Sequence, residues 1–491
     1  MTPSTIIITI AAYFAIVLLI SWFTGMKSDN AGFFSGNRRQ SWYVVAFAMI
    51  GSAMSGVTFV SVPGMVGVSG FGYMQMALGF IAGQLVIAFI LIPLFYRMNL
   101  VSIYGYLEER LGVSSYRTGA WFFFISKMLG ASVRLYLVCI SLQLMVFGPL
   151  GMPFWLNVLI TVLILLLYTF RGGVKAVIWI DFLKTFCMIV SIILCTVFIS
   201  KALGYSFREM AGAVSSSGMS RLFYFDDPDH PQFFLKQFFG GMFTLIAMTG
   251  LDQDMMQRSL ACRNFRDSQK NIIVSSLLQT AVIFLFLVLG VLLYLFAGES
   301  GIEASGDTLF PAVATSGLLP AAVGILFVIG LVSCSFAAGG SALTALTTSF
   351  TVDILGTTGR TEEKVKSIRE RVHLAMAICM GLTILVFNYI NNTSAIDAVY
   401  KLASYTYGPI LGMFAFGILT KRRTTDKAVP VISIVSPLIC LVLQLNSERW
   451  FGGYKFSYEL LILNALITFT GLMAFSRKAG SFIARQGGRN R

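Results

Sequence analysis

The sequence predicts an all-α polytopic membrane protein in which two five-helix halves form an inverted repeat. Three observations lead to this fold class. Apolar residues make up 56% of the 491-residue chain and charged residues only 12%, whereas soluble domains carry about 25% charged residues. Thirteen stretches approach or exceed the ~20 apolar residues that a membrane-spanning helix needs. Clusters of glycine interrupt two of these stretches, which start five helices apart.

The predicted helices leave short loops along most of the chain. They cover residues 4–25, 42–67, 72–97, 119–148, 153–170, 174–202, 232–253, 272–298, 318–350, 372–391, 397–419, 427–446 and 457–476. Several exceed 26 residues, so we expect them to tilt, bend or project beyond the bilayer. The whole chain, 1–491, is predicted to be a single transmembrane domain. Its parts are an extra N-terminal helix (4–25), a first repeat (42–202), a second repeat (232–419), two extra C-terminal helices (427–476) and a basic cytoplasmic tail (477–491).

Lysine and arginine predict the orientation of the chain, because short cytoplasmic loops are enriched in them. With the N-terminus placed outside, the loops after the odd-numbered helices and the tail carry 26 of the 36 basic residues, and the opposite loops carry 5. We therefore expect the N-terminus outside, the C-terminus inside, and a multi-pass protein of the inner (cytoplasmic) membrane. The net charge of +14 then reflects topology, and no nucleic-acid partner is expected. The expected partners are the lipid bilayer and a small-molecule solute, and the oligomeric state stays open.

Cysteine and histidine usage argues against disulfide, metal and enzyme chemistry. The seven cysteines include no CxxC pair, and only two histidines occur, His230 and His373. This pattern predicts reduced cysteines and no structural metal site. No paired-carboxylate, histidine-cluster or nucleophile motif lies within a predicted helix. We therefore expect no enzyme activity and no cofactor, with a sodium ion as the one ligand of this kind left open.

Two predicted helices contain residues that should break them. The second reads GSAMSGVTFVSVPG over residues 51–64, and the seventh reads FGGMFTLIAMTGLDQD over residues 239–254. Broken helices at corresponding positions of two halves indicate the midplane binding site of a secondary transporter. The alternative is that these glycines only allow close helix packing in lipid.

Basic residues within helices are further candidates for function, because charges at membrane depth are costly. There are five of them: Lys127, Arg134, Lys184, Lys236 and Lys401. The first, third and fourth lie near helix ends, where the side chain can reach the membrane surface. Arg134 lies midway along its helix. Lys401 follows Asp397 by one turn, so a local ion pair is its alternative.

Several segments together resemble the sodium:solute symporter family. They are SGVTFVSVPG (55–64), NLVSIYGYLEERLG (99–112), FRGGVKAVIWIDFLK (170–184), GLDQDMMQRSLACRN (250–264), SALTALTTSFTVDIL (341–355) and YTYGPILGMF (405–414). The family includes the sodium-coupled glucose, proline, pantothenate and sialic-acid cotransporters, and the chain looks like a bacterial member. The resemblance implies the LeuT-like fold of two inverted five-helix repeats. It also implies secondary active uptake, usually driven by the sodium gradient.

The resemblance places two cation sites on this sequence. The main sodium site would use the carbonyls of Gly51 and Met54 together with two serine hydroxyls, but those two positions are Ala337 and Ala338 here. The second site would use Asp181 and two hydroxyl positions. These are Gly340, which has no side chain, and Ser341. Because alanine and glycine supply no oxygen, we expect sodium binding to weaken by several kcal/mol if the desolvation cost remains.

Three interpretations of this AAGG run remain open. In the first, transport is coupled to another cation, or to protons through Asp181. In the second, transport is uncoupled, as in a facilitator or exchanger. In the third, the serines were replaced in a protein that otherwise has the features of a sodium symporter. Asp181 also has Lys184 three residues later as an alternative partner. The hydroxyls of Thr344, Thr347 and Thr348 can simply bond to carbonyls four residues earlier.

The solute site is expected between the two broken helices and the third, fourth and eleventh predicted helices. The candidate contacts are Ser55, Thr58, Gln75, Arg134, Thr244 and Lys401. Arg134 matches the position at which the sialic-acid members bind the substrate carboxylate, and guanidinium suits a carboxylate. Leu245 and Met248 occupy the two positions at which the sugar-binding members of the family have an amide side chain and a tyrosine. The hypothesis is a small organic anion, such as a sialic acid or another acidic sugar.

Charged residues near the end of the seventh helix allow two interpretations. They are Asp252, Asp254 and Arg258, together with Glu108, Glu109 and Arg110 of an earlier loop. They can form an ion-pair network at the inner gate or be solvated loop charges, and the second interpretation is preferred. A solute-sensing membrane protein on the same scaffold is an alternative function, although no soluble output domain is appended.

Overall fold

The computed structural model describes residues 3–25, 40–98, 102–169, 174–356, 361–390, 395–454 and 456–477. Most of them are helical. The helices in chain order are α1 (Pro3–Gly25), α2 (Trp42–Ala53), α3 (Gly56–Ser69), α4 (Tyr73–Arg97), α5 (Gly105–Arg110), α6 (Val113–Phe147), α7 (Phe154–Thr169), α8 (Val174–Ala202), α9 (Phe207–Ser216), α10 (Phe234–Gly250), α11 (Gln253–Ser259), α12 (Phe265–Ser300), α13 (Leu309–Thr315), α14 (Ala321–Ser349), α15 (Glu362–Ile390), α16 (Ala395–Leu419), α17 (Val429–Leu445), α18 (Ser447–Trp450) and α19 (Leu460–Ala474).

Two short strands are the exception to the all-α prediction. β1 (Arg423–Thr424) pairs antiparallel with β2 (Ser476–Arg477). They tie the loop after α16 to the end of α19. The predicted basic tail lies outside the described residues beyond Arg477.

Most described helices are apolar enough to lie in a membrane. By length and composition, eight can cross it, or up to ten if each of two bent helix pairs is one span. Three shorter apolar helices, α1, α7 and α19, add to these. Every predicted apolar stretch coincides with one of these helices or pairs. The 36 residues of α12 extend about 54 Å at 1.5 Å per residue, which exceeds a hydrocarbon core of about 30 Å.

The prediction of two broken helices is confirmed. α2 and α3 are bent by 61° across Met54 and Ser55, whose backbone is extended, with φ/ψ of −96°/125° and −109°/179°. α10 and α11 are bent by 76° across Leu251 and Asp252. The Asp252 side chain caps α11 by accepting a hydrogen bond from the backbone N–H of Met255 at 3.1 Å.

Glycine allows α10 to pack directly on the backbone of α4. A Cβ atom added to Gly241 would lie 2.5 Å from the carbonyl oxygen of Met76, and one added to Gly79 would lie 2.9 Å from the backbone nitrogen of Met242. α8 packs along α2, whereas α6 packs between α14 and α16. These contacts gather α2, α3, α6, α10, α11 and α16 around the two breaks.

Candidate functional site

A cavity lies where the two helix breaks face each other. We call it the central cavity; its lining includes Ser55, Thr58, Tyr73, Arg134, Thr244 and Tyr400. Both broken helices lose their regular backbone near this cavity, and side chains of α3, α6, α10 and α16 surround it. Leu245 and Met248 of α10 give it an apolar wall.

Arg134 reaches the central cavity from the middle of α6. Its side chain is half-buried, and it also lines a second, adjoining cavity with Lys127 and Asp252. Among the described residues, none forms a hydrogen bond or an ion pair with its guanidinium. The site therefore holds a positive charge whose hydrogen-bond donors remain available to a ligand.

Four of the six predicted solute contacts line one cavity, and two lie elsewhere. Ser55, Thr58, Arg134 and Thr244 come together in the central cavity. Gln75 is fully buried and is bonded instead to the segment before α10: its Nε2 donates to the carbonyl of Gln232 at 2.9 Å, and its Oε1 accepts from the backbone N–H of Tyr224 at 3.0 Å. Lys401 is exposed on α16 and lies outside the lining of both cavities.

The first predicted cation site keeps its backbone oxygens and lacks side-chain oxygens. Gly51 lies in the last turn of α2, which ends at Ala53, and Met54 lies in the break itself. Their carbonyls accept no backbone hydrogen bond from the described residues. Ala338 faces this region from α14 and offers only a methyl group; the side chain of Ala337 lies outside the described residues. The residues present do not make the oxygen shell that a sodium ion needs.

The second predicted cation site contains an arginine. The Nη1 atom of Arg258 lies 2.8 Å from Asp181 Oδ2, and Nη2 lies 3.1 Å from Asp254 Oδ1. The same guanidinium bonds the hydroxyls of Ser52 and Ser341. Both Asp181 and Arg258 are buried, with relative exposures of 1% and 5%.

The remaining positions of this site are also accounted for. Ser52 donates to Asp181 Oδ2 at 3.0 Å, and Ser341 donates to Asp254 Oδ2 at 2.8 Å. Gly340 is buried, and its carbonyl accepts the hydroxyl of Thr344 at 2.8 Å. The oxygens expected to face a free cation are thus bonded to the guanidinium or to each other.

A second buried pair continues this network toward α6. Lys127 Nζ lies 3.0 Å from Asp252 Oδ2 and 3.2 Å from Asp254 Oδ2. Tyr407 donates to Asp252 Oδ2 at 2.9 Å. Lys127 and Asp252 are buried, so the prediction that Lys127 reaches the membrane surface is wrong, and so is the preferred interpretation of Asp252 and Asp254 as solvated loop charges.

We call Lys127, Asp181, Asp252, Asp254 and Arg258 the charge cluster. Glu108 and Glu109 are exposed and do not join it. Arg110 bonds the carbonyls of Gly417 and Thr420 instead.

Lys184 does not reach the membrane surface, contrary to the prediction from its place near a predicted helix end. Its ammonium is fully buried and has no hydrogen-bond partner among the described residues. The hydrogen-bonded ion pair of Asp181 is formed by Arg258 rather than by Lys184. Lys184 therefore adds a positive charge beside the charge cluster without completing its hydrogen bonds.

Sequence reasoning missed the pairs that hold the charge cluster together. Lys127 and Asp252 are 125 residues apart, and Asp181 and Arg258 are 77 apart. Ser52 appeared only as part of the segment 51–64 that should break the second predicted helix. The available signal was the presence of Asp252, Asp254 and Arg258 beside a predicted break, because charges within a membrane fold are costly unless they meet opposite charges.

Two broken helices around a cavity with buried charges define a polytopic membrane transporter. A sequence model of the sodium:solute symporter family matches residues 33–435. The chain belongs to the sodium:solute symporter family, and it is a secondary active transporter rather than an enzyme.

Individual relatives and one solved structure agree with this membership. The chain is 24% identical over 443 residues to the sodium/sialic acid symporter NanT of Aliivibrio fischeri, covering 86% of this chain and 84% of that protein. It is 25% identical over 430 residues to the sodium-coupled monocarboxylate transporter 1 of Xenopus laevis, covering 83% and 67%. The structure of a Na+-coupled sialic acid symporter in its substrate-bound outward-open state superposes with a TM-score of 0.81 at 17% identity, covering 96% and 97%. That likeness shows the fold.

Proposed function

We propose that the chain transports a small organic anion with a carboxylate group, such as a sialic acid or another acidic sugar. The observation that carries the proposal is Arg134, a guanidinium in the middle of the membrane fold without a described acidic partner. An unpaired charge at this depth is costly. A carboxylate that docks on it bidentately offsets that cost and fixes the orientation of the solute.

The surrounding residues suit the rest of such a solute. Ser55, Thr58 and Thr244 present hydroxyls on the same cavity, which can bond the hydroxyl or amide groups of an acidic sugar. Leu245 and Met248 of α10 add apolar side chains to the same lining. The names of two relatives specify sialic acid and monocarboxylates, and both are anionic solutes, which supports the same substrate class.

Alternating access is the proposed mechanism. On one side of the central cavity, Tyr73 and Tyr400 share a hydrogen bond at 2.8 Å; on the other side lies the charge cluster. Opening either set while the other stays closed would expose Arg134 to one face of the membrane at a time. α11 carries part of the charge cluster and follows a helix break, so it is the element proposed to move on that side.

The proposed arrangement in the membrane has thirteen spans, with the N-terminus outside and the C-terminus inside. It places the repeats at 42–202 and 232–419, the extra helices at 4–25 and 427–476, and the protein in the inner membrane. The eight long helices, the two bent pairs and the three shorter apolar helices support this count. The charge cluster would then face the cytoplasm.

Binding of N-acetylneuraminic acid to the purified protein tests the substrate proposal. We expect Arg134→Ala to weaken binding by about 2 kcal/mol or more, about 30-fold, because a charge-assisted pair is lost. Lys401→Ala is the matched control, since Lys401 lies outside the cavity, and should bind as the wild type does. Arg134→Lys should recover only part of the affinity, because an ammonium cannot bond bidentately.

Two results would contradict the proposal. One is an Arg134→Ala variant that binds the acid as tightly as the wild type. The other is wild-type protein that binds a neutral hexose but not the acid.

A further inference from the structure

The guanidinium of Arg258 lies within a set of oxygens that converges from four helices. These oxygens come from Ser52 of α2, Asp181 of α8, Asp254 of α11 and Ser341 of α14. Carboxylate and hydroxyl oxygens are the ligands that hard cations take in proteins. Here the cation they hold is covalently part of the chain.

Charge counting leaves no place for a second cation. Three carboxylates (Asp181, Asp252 and Asp254) meet two ion-paired cations, Arg258 and Lys127. The fully buried Lys184 adds a third positive charge within electrostatic range of Asp181. A free sodium ion would enter a neutral, poorly solvated cluster and lie beside a guanidinium, so like-charge repulsion would oppose its desolvation.

We propose that Arg258 is a tethered cation that takes the place of the transported ion at Asp181. This inference rests on the proposed transport function and deepens it. Arg258 belongs to α11, the seven-residue segment after the second break. Movement of α11 away from α8 and α14 would withdraw the positive charge from Asp181, and its return would restore it. In this cycle, docking of a helix replaces the binding and release of sodium at this site.

Thermal unfolding of the full-length protein in different salts tests the proposal without any solute. The unfolding temperature is measured in sodium, potassium and choline chloride at equal ionic strength, because a bound ligand stabilises the folded state. Each protein is compared with its own Asp181→Asn partner. The unfolding temperature in sodium chloride minus that in potassium or choline chloride is the sodium-specific rise. The measured quantity is the part of this rise that the Asp181→Asn substitution removes.

For the wild type, we expect this quantity to be zero. For Arg258→Gln, which keeps hydrogen-bond donors but removes the charge, we expect a sodium-dependent rise that Asp181→Asn abolishes. Arg258→Lys is the matched control: it keeps a cation near Asp181 and should show no such rise. Arg221→Gln, which removes the exposed partner of Asp226, should behave as the wild type does.

The proposal would be overturned if sodium raised the unfolding temperature of the wild type and the Asp181→Asn substitution removed that rise. It would also be overturned if the Arg258→Gln protein folded and sodium did not raise its unfolding temperature. If Arg258→Gln does not fold, the comparison of the wild type with Asp181→Asn still tests the proposal. Because no solute is used, an error in the proposed substrate leaves these outcomes unchanged, and failure here leaves the Arg134 experiment unchanged.

Discussion

At the scale of single residues, α6 carries two cations, a buried Lys127 and a half-buried Arg134, that differ in what they contact. Lys127 and Arg134 are seven residues apart, about two helical turns, so they lie on the same face of the helix. Lys127 is held by Asp252 and Asp254, whereas Arg134 has no described partner. We therefore expect Lys127 to contribute to stability, and the proposed ligand-binding role stays with Arg134.

Removal of the lysine alone should destabilise the fold. In Lys127→Met, Asp252 keeps only the Tyr407 hydroxyl and the α11 cap as partners, and a buried carboxylate without its cation costs about 3–5 kcal/mol. We expect a lower thermal unfolding temperature for the purified variant. Lys127→Met combined with Asp252→Asn should recover most of the loss, because the uncompensated charge is then removed as well. If the two substitutions lowered the unfolding temperature by strictly additive amounts in the double variant, this pairing would be contradicted.

Residue-scale reasoning from the sequence identified residues that line the central cavity where a single residue carries the signal. Arg134 stands out because a charge in mid-helix has few explanations, and Ser55, Thr58 and Thr244 were found because they adjoin predicted breaks. Arg258 was named only as one of several charges near the seventh helix, because it follows GLDQD in what reads as a polar loop. Its role depends on Asp181, Ser52 and Ser341, which only tertiary folding brings within reach.

At the scale of elements, the helix breaks were predictable because local chemistry causes them. Glycine clusters lower helix stability wherever they occur, and Asp252 supplies a cap that starts a new helix. The partner of each broken helix was not predictable, because apolar helix faces in lipid look alike in sequence. Glycine contacts select these partners by allowing close backbone approach.

The contact between α4 and α10 gives an element-scale prediction. In Gly241→Ala, the new methyl group would lie 2.5 Å from the carbonyl oxygen of Met76, so the two helices must separate. Overpacking of this kind costs about 1–3 kcal/mol, which thermal unfolding of the purified variant should register as a lower midpoint. Gly298→Ala is the control, because a Cβ atom there meets nothing within 4 Å. The Gly298→Ala variant should unfold at the same temperature as the wild type or slightly higher. An equal decrease of the unfolding midpoint in Gly241→Ala and Gly298→Ala would contradict the packing argument.

At the scale of the whole molecule, the chain closes the central cavity in two chemically different ways. On one side, Tyr73 and Tyr400 share an uncharged hydrogen bond and pack against the rings of Phe80 and Tyr458. On the other side, the charge cluster joins α2, α6, α8, α11, α14 and α16 through several buried hydrogen bonds and ion pairs. A single neutral hydrogen bond contributes about 1 kcal/mol, and bonds to charged groups contribute more. The side with the charge cluster is therefore expected to be the harder one to open.

The proposed orientation of the molecule, which was inferred from the lysines and arginines of the loops, can be tested directly. Ser216 ends α9, in the connection between α8 and α10, and Thr425 lies in the connection between α16 and α17; both are exposed. Five proposed spans separate the two connections, so they should lie on opposite sides of the membrane, with Ser216 outside. Cysteines placed at these positions are labelled with a membrane-impermeant maleimide, in a background carrying Cys379→Ser because Cys379 is the exposed native cysteine. We expect Ser216→Cys to react in intact cells and Thr425→Cys to react only after the membrane is opened. The reverse pattern would overturn the orientation, and labelling of both in intact cells would overturn the odd number of spans between them.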